Sequence, residues 1–229
     1  GDNKMSLVTG GAGYIGSHCV MALLEKGADV LVFDNLSTGH AETINSLKKY
    51  GNLKFINGDL LSINDLKSCF ENNQIDSVIH FAAFSQVGES VKNPRKYYVN
   101  NVIGTTNLLN TMLDFDVKKI VFSSTAATYG EPQYIPIDEN HPQNPINPYG
   151  QTKLDIEFLL KDYAKENPNA NIAILRYFNP IGAHPSAEIG ELPNGVPNNL
   201  LPFVTQTASG LREKLRVFGD DYNTPDGSC

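Results

Sequence analysis

The sequence predicts an α/β fold: a doubly wound, mostly parallel sheet of the Rossmann type. Three observations carry that expectation. Short apolar runs alternate with helical stretches as far as Phe178. A glycine-rich segment, Gly10 to Gly16, joins the first apolar run to the first helical one. An acidic residue, Asp34, ends the second apolar run. Strands alternating with helices call for right-handed crossovers, which leave few topologies besides a doubly wound one.

The elements follow in order. Ser6 to Thr9 reads as a buried strand, and Tyr14 to Lys26 as a helix closed by Gly27, where a left-handed cap is wanted. Val30 to Phe33 and Leu53 to Ile56 are the second and third strands, and Leu61 to Asn72 is helical. Ser77 to Phe81 is the fourth strand, followed by one long amphipathic helix, Val99 to Phe115. Lys119 to Ser123 is the fifth strand, Pro148 to Asn167 a helix, and Ile172 to Arg176 the sixth strand. The texture changes after Phe178. Residues 179–199 hold four prolines and three glycines and are too long for a plain connector, so they read as a loop that serves a site. A short helix, Leu200 to Ser209, and a strand, Leu215 to Phe218, come next. The expected division is therefore 1–178 and 179–229.

The bulk numbers exclude several classes. With 41% hydrophobic and 19% charged residues, the chain has the makeup of a soluble globular protein. A net charge of -7 argues against a broad face for nucleic acid. The cysteines, Cys19, Cys69 and Cys229, are odd in number and form no C-x-x-C pair, so reduced thiols in a cytoplasmic protein are expected. There is no metal-ligand spacing, no run long enough to span a bilayer and no signal-peptide pattern.

The glycine segment is the first chemical feature. Gly10, Gly13 and Gly16 follow a strand and open a helix. A turn needs a residue without Cβ, a pyrophosphate needs close backbone approach, and a helix N-terminus offers free N–H groups to phosphate oxygens. A glycine trio alone is also compatible with a structural turn. Asp34 sharpens the reading, because a carboxylate there accepts hydrogen bonds from an adenosine ribose and repels a 2′-phosphate, favouring NAD over NADP. Asp59 after the third strand and Phe81-Ala82 at the end of the fourth lie where the ligand crevice of such a sheet opens. For Asp59, an adenine contact and ordinary loop chemistry both stay open.

The second feature is Tyr149 and Lys153, four apart at the start of a helix and so on one face. An ammonium beside a phenol lowers the tyrosine pKa from about 10, which makes a general base. A second Tyr-x-x-x-Lys, Tyr50 to Lys54, spans Gly51-Asn52 and reads as chance. Ser123-Ser124-Thr125 ends the fifth strand, where a hydroxyl can relay the proton or simply satisfy a loop.

Together these features resemble the extended short-chain dehydrogenase/reductase family, and within it the UDP-hexose 4-epimerases. The runs that carry the resemblance are Val8 to His18, Val87 to Ser90, Asn147 to Gly150, Arg176 to Pro185 and Pro197 to Leu200, and it extends over essentially the whole chain. The resemblance implies NAD contacts at Tyr14, Ile15, Asp34, Asn35, Asp59, Leu60, Phe81, Ala82, Asn100, Lys153 and Phe178. It implies nucleotide-sugar contacts at Asn179, Asn199, Leu200, Arg216 and Phe218, besides Thr125 and Tyr149. The implied activity interconverts UDP-galactose and UDP-glucose through a transient 4-keto sugar, with Tyr149 taking the proton of the 4-hydroxyl and NAD retained throughout. The hydroxyl role falls to Thr125, where many members carry serine, with Ser124 as the alternative. A homodimer through the helices around 99–115 and 149–167 is also implied. Such proteins continue for about another third of a chain, so 179–229 is expected to be a truncated substrate-binding region. The other readings are a different NAD-dependent nucleotide-sugar enzyme of the family, or a non-catalytic NAD-binding fragment. A dehydratase would want acidic residues after the strand-end hydroxyl, and Thr125 is followed by Ala126-Ala127-Thr128.

Overall fold

A computed structural model describes residues 4–215, 221 and 224–226. Six strands form one sheet: β1 (Met5–Thr9), β2 (Val30–Asp34), β3 (Leu53–Asn57), β4 (Ile75–His80), β5 (Lys119–Thr125) and β6 (Asn171–Tyr177). Their order is β3-β2-β1-β4-β5-β6 and every neighbouring pair is parallel. The order reverses at β1, so the crevice that collects ligands opens between the carboxyl ends of β1 and β4.

The connecting helices are α1 (Tyr14–Glu25), α2 (Ala41–Leu47), α3 (Ile63–Glu71), α4 (Val87–Lys92), α5 (Pro94–Tyr97), α6 (Gly104–Asp114), α7 (Pro148–Glu166) and α8 (Leu200–Ala208). Side chains that alternate along the strands feed two cores. Leu7, Leu31, Val78, Ile120 and Phe122 join Leu66 of α3, Leu108 and Met112 of α6 and Ile156 and Leu160 of α7. Val8, Val30 and Val32 join Val20, Met21 and Leu24 of α1 and Ile44 and Leu47 of α2. A parallel sheet buried on both faces needs this two-sided apolar supply. On the α1 side the cover thins toward β6, where Leu175 is 42% exposed.

The short helices α2, α4 and α5 and the stretch before α6 differ from the sequence reading. Helix α2 falls in a stretch with no predicted element; its seven residues bury only Ile44 and Leu47, too short a pattern to stand out. The single helix expected over Val99–Phe115 is instead a π-helical stretch, Tyr98–Ile103, running into α6. The wide turn of a π-helix lets Asn100 and Asn101 project beside one another, an arrangement common at functional sites. The strand expected over Leu215–Phe218 lies, from Arg216 on, outside the described residues. The ends of α1 and α7 follow the sequence closely. Gly27 takes φ +78° behind α1. Asn147 caps α7 by accepting the Gly150 N–H at 2.8 Å, with Pro148 in the first turn.

The chain divides into two compact units, Gly1–Gly190 and Glu191–Cys229. The first runs on past Phe178 because residues 182–189 turn back onto it. Ile189 is buried with α1 and α2, Glu188 pairs with Lys49 and accepts the Tyr50 hydroxyl, and His184 sits 3.1 Å from Glu25. In the second unit Asn199 opens α8 and its side chain donates to Glu191 at 2.5 Å.

Candidate active site

The glycine segment builds a cradle that side chains would fill. Gly10 has φ +71°, and a Cβ there would meet the Ala82 nitrogen at 2.7 Å. A Cβ at Gly16 would run into the Gly10 carbonyl oxygen. Gly13 caps α1 with no side-chain bond, and the first turn holds no acidic residue. The N–H groups of Tyr14 and Ile15 thus stand at the positive end of a twelve-residue helix, which suits the phosphates of a dinucleotide. Beside them Asp34 closes β2. Its Oδ2 accepts the Ala12 N–H at 3.0 Å and its Oδ1 the Leu36 N–H at 2.8 Å, which fixes the carboxylate. Burial raises its pKa and those two backbone bonds work against the rise. Each oxygen keeps a second lone pair for a ribose hydroxyl.

The neighbouring expectations fall around this cradle. Asn35 accepts the Ser37 N–H, and Asp59 accepts the Leu61 N–H through Oδ1 in a local turn. Leu60 is buried beneath Gly104. Phe81 and Ala82 lie against Gly10, tied to Thr9 through its carbonyl and its hydroxyl. Asn100 donates to Asn101 at 3.0 Å. Phe178 is 57% exposed and stacks on Tyr129, and Asn179 beside it is exposed. Asn199 and Leu200 belong to the second unit, while Arg216 and Phe218 lie outside the described residues.

At the end of β5 the chemistry converges. The Thr125 hydroxyl sits close enough to the Tyr149 phenol to lower its pKa, and it accepts the Ala127 N–H at 3.1 Å. One helical turn on, Lys153 is 4% exposed, donates to the Ser123 carbonyl at 2.8 Å and lies 4.9 Å from the Phe122 ring centre. Burial pulls the Lys153 ammonium down to about 8. The expectation that this lysine lowers the phenol is corrected here. Burial pushes the Tyr149 pKa up, and the nearby Thr125 hydroxyl lowers it only in part. Sequence spacing gives the shared face but not the burial. Ser124, the alternative hydroxyl, points elsewhere: its Oγ donates to Glu157 at 2.7 Å. The second Tyr-x-x-x-Lys is dispersed, Tyr50 bonding Glu188 and Lys54 reaching Asn73.

Two buried groups beside the site went unread in the sequence. Glu157, fully buried, holds Ser124, Arg176 and Gln143, and so ties β5, β6 and the loop between β5 and α7 to α7 itself. Its place four residues after Lys153, on the same face, was the available signal. His80 ends β4 in a fixed chain. Thr105 Oγ1 donates to the Asn101 carbonyl, so it accepts from His80 Nε2–H at 2.8 Å; His80 Nδ1 then accepts from Thr9 Oγ1 at 2.6 Å. Burial first, and the Lys153 charge second, push the His80 pKa down to about 3, so the ring is neutral.

Comparison with known proteins identifies the family. The family model described as GDP-mannose 4,6 dehydratase matches residues 7–229. The UDP-glucose 4-epimerase of Yersinia enterocolitica is 52% identical over 225 residues, covering 97% of this chain and 67% of that protein. The chain belongs to the extended short-chain dehydrogenases/reductases, alongside the UDP-glucose 4-epimerases. The Bacillus subtilis (strain 168) UDP-glucose 4-epimerase is likewise 52% identical, over 97% of this chain and 66% of its own length. A solved UDP-glucose 4-epimerase from Bifidobacterium longum, in complex with NAD+ and UDP, superposes with a TM-score of 0.95 at 43% identity, covering 98% of this chain and 68% of that one. This member of the extended short-chain dehydrogenases/reductases therefore spans about two thirds of the length of the curated relatives it matches. Among its described residues no helix is long and apolar enough to cross a membrane.

Proposed function

We propose that this chain is the NAD-binding and proton-transferring part of a UDP-glucose 4-epimerase that interconverts UDP-galactose and UDP-glucose. The observation that carries the reading is the Thr125 hydroxyl beside the Tyr149 phenol, with buried Lys153 one turn away, at the carboxyl end of the sheet that also presents the glycine cradle. NAD, when bound, supplies the acceptor and donor of the sugar's C4 hydrogen and a cationic ring. The rest belongs to this chain. Backbone N–H groups of Tyr14 and Ile15 hold the pyrophosphate, and Asp34 accepts from the adenosine ribose. Asn35, Asp59, Leu60, Phe81, Ala82, Asn100 and Phe178 line the remainder of the dinucleotide. Tyr149 Oη takes the proton of the sugar 4-hydroxyl, and Thr125 Oγ1 orients that hydroxyl. Lys153, held by the Ser123 carbonyl, is assigned to the dinucleotide. After the 4-keto sugar rotates, Tyr149 returns the proton to O4 as the C4 hydrogen is restored to the opposite face of the ring, which completes the inversion.

Asn179, Asn199, Leu200, Arg216 and Phe218 are assigned to the nucleotide sugar, with 179–229 as the beginning of the region that holds it. The exposed apolar Tyr98, Ile103 and Phe158, on the π-helical stretch and α7, support pairing of two copies through those helices. Unpaired Cys19 and Cys69 suit the reducing cytoplasm. Ala126-Ala127-Thr128 after Thr125 offers no acid for elimination, which weighs against a dehydratase.

The test is direct. Incubated with UDP-galactose and no added reductant, the protein is expected to form UDP-glucose with no net NADH. Accumulating NADH would assign a dehydrogenase instead. Bound NAD without turnover would assign a binding module.

A further inference from the structure

We propose that Gly39 sets the affinity and selectivity of the NAD site by letting the loop from Asn35 to His40 close onto the glycine segment and lock Asp34 in place. The proposal rests on the NAD reading above. Gly39 is buried, and its backbone lies directly on Ala12. A Cβ at 39 would stand 2.7 Å from the Ala12 Cβ, 2.8 Å from its carbonyl carbon and 2.9 Å from its oxygen. Two of those three atoms are backbone, so no side-chain rotation relieves the clash. The close approach also closes a circuit of hydrogen bonds. His40 N–H donates to the Ala12 oxygen at 3.2 Å, Ala12 N–H donates to Asp34 Oδ2 at 3.0 Å, and Leu36 N–H donates to Asp34 Oδ1 at 2.8 Å. Leu36 holds φ 59°, a conformation that a leucine adopts only when its surroundings impose it.

The consequence is chemical. Both Asp34 oxygens are pinned by the two segments that Gly39 brings together, so the lone pairs left for a ribose point one way. The loop Asn35-Leu36-Ser37-Thr38-Gly39-His40 contains no lysine or arginine to receive a phosphate. A tightly closed loop of this composition both presents Asp34 to a 2′-hydroxyl and denies room and counter-charge to a 2′-phosphate. Gly39 is thus a positioning residue that acts through Asp34.

A double-mutant cycle tests this, read as calorimetric NAD and NADP affinity of the full chain stripped of cofactor. Gly39→Ala is expected to weaken NAD about tenfold, the scale of one overpacked contact. Asp34→Ala is expected to weaken NAD about tenfold or more through the lost charged hydrogen bonds. Because Gly39 works through Asp34, the double variant should be no weaker than D34A alone. NADP affinity should fall less than NAD affinity in G39A, narrowing the ratio. A hundredfold, additive loss in the double variant, an equal loss of both cofactors, or unchanged NAD affinity in G39A would overturn the proposal. Wild-type protein that binds no NAD, or a D34A variant that binds it normally, would overturn the cofactor reading instead. Thermal melts without cofactor establish that each variant is folded. If G39A is not, His40→Pro, which removes the His40 N–H bond to the Ala12 oxygen while keeping Gly39, takes its place in the same cycle with the same expectations.

Discussion

Lys153 is expected to destabilise the protein it serves, and replacing it by methionine should show this. The ammonium is buried inside α7's inner face, and burial lowers its pKa from 10.5 to about 8. At about 1.36 kcal/mol per tenfold change in proton affinity, that gap corresponds to about 3 kcal/mol. The folded protein binds this proton more weakly than the unfolded chain does. Stability therefore rises with pH between about 8 and 10.5, and the whole penalty is present below 8. Methionine keeps the apolar stem and removes the charge. It also loses the 2.8 Å bond to the Ser123 carbonyl, a loss of about 1–3 kcal/mol that does not depend on pH. The stability difference between K153M and wild type should therefore move by about 3 kcal/mol in favour of the variant as pH falls from 10.5 to 7. Urea unfolding of both proteins across that range measures it, and other titrating groups cancel in the comparison. A difference that stays flat would refute the reasoning, because it would mean that Lys153 titrates alike in both states.

Other expectations follow from the same geometry. Tyr149→Phe should abolish turnover in the UDP-galactose assay yet leave NAD bound, as read by cofactor retained through gel filtration; activity like wild type would remove Tyr149 as the base. Gly16→Ala should abolish NAD binding, because its Cβ collides with the Gly10 carbonyl oxygen in the middle of the cradle; calorimetry showing normal affinity would contradict the cradle. Glu157→Ala should cost about 3–5 kcal/mol in urea unfolding, since it strands the Arg176 guanidinium, whose side chain is 16% exposed; a loss below about 1 kcal/mol would show that water repairs the gap.

Much of the site could be read in the chain because its parts are local. Gly10, Gly13 and Gly16 sit within one turn between one strand and one helix, where absence of a Cβ is itself the signal. Tyr149 and Lys153 sit four apart on one helix, so helical geometry alone puts them on one face. Asp34 is legible as the residue that closes a strand. Even so, spacing predicts the wrong direction for the Tyr149 shift, because it gives proximity while burial depends on everything packed around the ring.

The sequence by itself determined the alternation of strand and helix, the position of the cradle and the Tyr149/Lys153 spacing, because periodicity and glycine act over a few residues. Tertiary structure alone decided that Thr125 and not Ser124 faces Tyr149, since only folding brings Glu157, 33 positions away, up to claim the Ser124 hydroxyl. It alone joined Thr9, His80 and Thr105 into one buried chain. It alone set Gly39 against Ala12, 27 residues earlier in the chain. Each of these contacts joins separate elements, and a desolvated group takes whichever partner the packed sheet and helices leave within reach.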